Sequence, residues 1–145
     1  MNFDEYATSF LLYAPAKNPH GWNLDLQEFG AALRENFSDA GYEPEEEYPA
    51  RLSFWVMDEQ GVEFNGFADT EVRDTIALAD STVDEVAKFI VWFRDSCIPS
   101  PELIRFTSEL AYARGIEADW RVPRTGGVAE VLDELQQHIQ VVVGE

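Results

Sequence analysis

One stretch narrows the folding options more than any other. Leu52, Phe54 and Val56 alternate with Ser53, Trp55 and Met57, then come Asp58-Glu59-Gln60-Gly61 and, resuming an extended pattern, Val62, Phe64 and Phe67. A period of two puts successive side chains on opposite faces of a strand, and a glycine-ended turn between two such runs predicts an antiparallel hairpin. A hairpin with one apolar face needs a cover. Ser81-Thr82-Val83-Asp84-Glu85 holds two overlapping capping boxes, Ser81 with Asp84 and Thr82 with Glu85, ahead of Val86, Phe89, Ile90, Phe93 and Cys97 at helical spacing. This predicts a helix over about 83–97, ended by Pro99 and Pro101.

Other elements follow from the same two periods. Tyr6 to Tyr13 suit a first strand closed by the loop 15–21, and Leu26, Phe29, Leu33 and Phe37 predict a helix over about 25–40 with Gly41 as its stop. Two prolines and four glutamates in 41–49 predict an exposed acidic loop. Val72, Ile76 and Leu78 suggest a third meander strand. Residues 100–114 suit either one helix or a strand, and we read a strand at about 102–107 followed by a short helix from Ser108 to Arg114. A loop over 119–123 leads to a last amphipathic helix carrying Val128, Val131, Leu132, Leu135 and Ile139, with Val141-Val142-Val143 extending it or packing as a strand stub. The expected architecture is a single α+β domain over 1–145: a mostly antiparallel sheet of four or five strands with two or three helices on one face.

Composition bears on whether such a core forms at all. The chain carries 28 Asp and Glu against 10 Lys and Arg, a net charge of −18, yet 46% of its 145 residues are hydrophobic and 13% aromatic, which takes it out of the disordered class. Residues 1–71 hold −12 of that charge and residues 72–145 hold −6. A field of this sign attracts cationic partners and argues against direct contact with nucleic acid, which needs a basic footprint. The acidic start Met1-Asn2-Phe3-Asp4-Glu5 and the lack of a ~20-residue apolar run point to a cytoplasmic protein without membrane association. Cys97 is the single cysteine, so no intrachain disulfide forms, and its apolar helical setting predicts an inert thiol.

Catalytic signals are sparse. His20 and His138 are the only histidines, and neither stands in an HExxH or Cys/His pattern. No Gly-x-Ser-x-Gly elbow or P-loop is present, since Thr125-Gly126-Gly127 has no lysine, and Glu43, Glu45, Glu46 and Glu47 do not follow the EF-hand pattern. We therefore expect no catalytic residues, metal site or cofactor.

What the sequence does offer is surface. Partner contacts are expected from Glu43, Glu45, Glu46, Glu47, Asp58 and Glu59, the densest runs of uncompensated charge, together with Trp55, which alternates away from Phe54 and is exposed if helices cover the Phe54 face. In size, charge and want of catalytic motifs the chain resembles the immunity proteins with which bacteria restrain their own toxins. That resemblance implies inhibition of a basic protein by occlusion. A secretion chaperone or adaptor, a nucleic-acid mimic and an enzyme with a dispersed site are the alternatives.

Overall fold

The fold was read from a computed structural model that describes residues 7–37, 39–44, 50–57, 59–61, 63–98, 103–116 and 120–143. Elements run β1 (Ala7–Tyr13), α1 (Leu26–Asn36), β2 (Asp39–Pro44), β3 (Arg51–Met57), β4 (Glu63–Asp69), β5 (Thr75–Thr82), α2 (Val83–Ser96), β6 (Arg105–Ser108), α3 (Glu109–Ala113), β7 (Trp120–Arg121) and α4 (Val128–Val143). All pairings are antiparallel, in the order β2-β3-β4-β5-β1-β6-β7. The α+β class is thus as expected, with three of the four described helices, α1, α2 and α4, on one face of the sheet, while the sheet has seven strands among the described residues rather than four or five.

The additional strands come from segments whose composition disguised them. Asp39–Pro44 forms β2 where a helix end and an acidic loop were expected, because Tyr42 turns inward against α1 and Gly41 lies buried beneath the indole of Trp55. Gly and Pro weaken a central strand but are tolerated at a sheet edge, which is where β2 sits. Helix α1 consequently ends at Asn36, with Phe37 already extended after its amide bonds to the Leu33 carbonyl at 3.0 Å. Likewise Trp120 and Arg121 leave the expected loop to pair with Phe106 and Arg105. Val72 does not join the third meander strand: β5 starts at Thr75 and Val72 is 80% exposed in the preceding connection.

The hairpin and α2 form where expected. At the start of α2 the second capping box operates, with the Glu85 carboxylate accepting from Thr82 N–H at 2.9 Å and the Thr82 hydroxyl accepting from Glu85 N–H at 3.4 Å. Strand β6 and helix α3 confirm the strand-then-helix reading of that segment, and Val141-Val142-Val143 extend α4.

One face of the sheet carries the core. Phe10, Leu12, Leu52, Phe54, Val56, Phe64, Ala68, Ile76, Leu78 and Phe106 are all buried beneath α1, α2 and α4. Phe89 of α2 stacks over Phe54 at 6.1 Å and meets Phe64 at 5.6 Å, while Phe29 of α1 meets Phe54 edge-on at 5.4 Å. Gly30 permits this close approach of α1, since a methyl there would stand 2.7 Å from the Tyr42 ring.

Two buried polar residues tie the connections down. Asp74, 1% exposed, accepts from Trp22 N–H at 3.1 Å and faces His20 Nδ1 at 3.2 Å, which fastens the loop after β1 to the β4–β5 connection. Arg94 of α2 donates to the carbonyls of Pro123 at 2.9 Å and Gly126 at 2.6 Å, fixing the approach to α4. No described helix is long and apolar enough to cross a membrane.

Candidate binding surface

With three helices on one face, the alternation of the strands turns every second side chain onto the other. Cross-strand register aligns Glu43, Ser53, Phe67, Ala77, Leu11 and Thr107 in one row across six strands. The next row is Arg51, Asp69, Thr75, Tyr13, Arg105 and Arg121. Around Leu11, Phe67, Ala77, Ala79, Thr107 and Tyr112 the surface dips into an apolar groove of about 420 Å³. Tyr112 is 86% exposed, Trp55 50% and Leu11 37%. Large apolar side chains gathered on one face mark an interaction surface more often than isolated ones do.

Charge is divided along this face. At the end bearing the second row, Arg51 pairs with Asp69 at 2.9 Å while its guanidinium lies 4.4 Å over the Phe67 ring, and Arg73 lies 5.3 Å over Tyr13. Asp39, Glu59, Glu63 and Glu109 are exposed toward the opposite end. The groove therefore lies between an arginine-bearing end and an acidic one.

Of the residues expected to meet a partner, the structure places Trp55 on the open face, Glu43 on the edge strand β2 and Glu59 in the β3–β4 turn, all exposed. Glu45, Glu46, Glu47 and Asp58 lie outside the described residues. Glu43 and Glu59 are not brought together: Glu43 pairs with Ser53, whereas Glu59 follows Met57 at the far end of β3, roughly 13 Å or more away along the strand. Trp55 stands between them. Leu11, Phe67, Thr107 and Tyr112 were not among the expected contact residues, although Phe67, read as part of the hairpin, follows the core residue Phe64 by three positions and so must change face.

Both histidines and the cysteine are enclosed or engaged structurally. His138 is fully buried on α4, its Nε2 2.8 Å from the Ser108 hydroxyl, and rings of Phe106 and Trp120 lie 5.2 and 4.7 Å away. Ser108 Oγ also accepts from Ala111 N–H at 3.1 Å, so one hydroxyl joins the start of α3 to the His138 ring, whose Nδ1 is buried without a hydrogen-bond partner among the described residues. Burial lowers the His138 pKa to about 4, which keeps it neutral. No carboxylate completes this Ser–His pair among the described contacts, and the pair packs inside the core. Burial also pushes the Cys97 thiol up to about 12, leaving negligible thiolate at neutral pH. His20 and Asp74 serve the loop anchor. Among the described residues no three His, Cys, Asp or Glu side chains converge as metal ligands would.

Compared with protein-family models, curated proteins and solved structures, the chain finds no match.

Proposed function

We propose that this protein is a binding protein rather than an enzyme, and that it neutralises a basic protein partner through the open face of its sheet. The observation that carries the reading is an apolar groove lined by Leu11, Phe67 and Tyr112, on the same open sheet face as the half-exposed Trp55, in a molecule of net charge −18. Carboxylates accelerate encounter with a cationic surface, and a few desolvated aromatics then supply most of the affinity. Occlusion of a toxin by a bacterial immunity protein, in the cytoplasm, is the role that best suits this combination. A secretion chaperone or adaptor is the second reading, favoured by the groove itself, and it calls for a dimer.

Affinity capture from the native host, with wild type beside the W55A/Y112E variant, tests the proposal. Wild type should retain a basic protein whose binding weakens with salt, and the variant should lose it. Removing one central Trp alone typically costs ~2 kcal/mol or more, about thirtyfold in affinity. Retention of no basic protein, or of the same set by both forms, rejects the reading.

A further inference from the structure

The seven-stranded sheet ends at β2, and among the described residues no strand lies outside it. In an antiparallel strand the backbone N–H and C=O groups point alternately to either side, so about half of those in Asp39–Pro44 face away from β3. An edge of this kind can template a further strand. Its side chains limit which.

Asp39, Gly41 and Glu43 share the open face, and their cross-strand partners are Met57, Trp55 and Ser53. Gly41 contributes no side chain there; the Trp55 indole lies directly over its Cα and remains half exposed. The edge thus reads acid, aromatic shelf, acid, with exposed carboxylates two residues to either side of the shelf. Arg34, stacked 4.4 Å over Tyr42, belongs to the helix-covered side.

We propose that β2 receives an extended basic segment of the partner as an eighth strand, with a basic–x–apolar–x–basic pattern. Its apolar side chain rests on Trp55, and its flanking Lys or Arg residues meet Asp39 and Glu43. Main-chain hydrogen bonds provide the attachment, and alternate side chains provide selectivity. Charge excludes the other obvious occupant: a second copy pairing antiparallel through its own β2 about Gly41 would set Asp39 against Glu43, and like charges directly opposite are destabilising. This inference rests on the basic-partner reading and specifies how that partner is held.

The test uses a short synthetic peptide in which Lys, Leu and Arg alternate with Val and Thr, and a control with Glu in place of Lys and Arg. Amide hydrogen exchange by NMR is followed on the full chain. The cationic peptide should slow exchange at every second amide between Asp39 and Glu43, the control should not, and D39K/E43K should weaken binding about tenfold or more. Protection by the control peptide, protection that rises with protein concentration alone, or absence of protection at β2 each overturns strand addition. Shifts confined to Leu11, Phe67 and Tyr112 would overturn it while leaving the basic-partner reading intact. That reading fails separately, if host capture retains nothing basic.

Discussion

Neutral His138 in the core makes stability depend on pH in a calculable way. Its pKa is about 4 in the folded protein against 6.5 when solvated. Above about pH 6.5 the ring is neutral in both states and contributes no pH dependence. As pH falls below that value the unfolded chain takes up a proton that the folded chain refuses, so stability drops until the folded pKa is reached and then levels. A shift of this size corresponds to a loss of about 2–3 kcal/mol between about pH 7.5 and pH 4.5. Titrating carboxylates overlay this change, and H138Q separates the two: a glutamine amide can either donate to or accept from the Ser108 hydroxyl but does not ionise. Urea unfolding of wild type and H138Q, followed by tryptophan fluorescence, should show the wild-type advantage shrinking by about 2–3 kcal/mol over that window. A difference constant to within about 0.5 kcal/mol would refute the assignment of a neutral, enclosed imidazole.

Three further expectations concern the scaffold. D74A strands the buried Trp22 N–H and frees the loop bearing His20, so it should lower stability by about 2 kcal/mol, with D74N milder; equal urea midpoints for D74A and wild type would contradict that anchor. T82A removes the N-cap acceptor of α2 and should cost about 1 kcal/mol in chemical denaturation, the reasoning failing if stability is unchanged. Cys97 should react with a thiol reagent at about pH 8 far more slowly in the native protein than in denaturant, and equal rates would place the thiol at the surface.

The elements that could be read from the sequence are those in which local signals agree. Around Phe54 and Phe64 a period of two coincides with turn residues, and at Thr82 capping chemistry coincides with the Val86–Phe93 stripe, so local preference and tertiary burial point the same way. Strand β2 was obscured because its stability is borrowed: Gly41 depends on the Trp55 ring and Tyr42 on the notch at Gly30, neither of which is local in sequence. Trp120 and Arg121 form a strand only because Arg105 and Phe106 are already in place. On the candidate surface, the outward alternation made Trp55 legible. Leu11 was hidden between the core residues Phe10 and Leu12, and Tyr112 belongs to a five-residue helix whose position at the sheet end follows from topology alone.

Strand β1, first in the chain, lies between β5 and β6, where Leu11 faces Ala77 on one side and Thr107 on the other. It is the keystone joining the β2–β5 wing to the β6–β7 wing. High contact order follows: the meander can close among near neighbours, but the two wings become one sheet only after a loop of more than ninety residues, from Leu11 to Thr107, has been drawn shut. Strand β1 therefore waits unpaired until β5, more than sixty residues later, is available, and slow assembly is the kinetic counterpart of its central place.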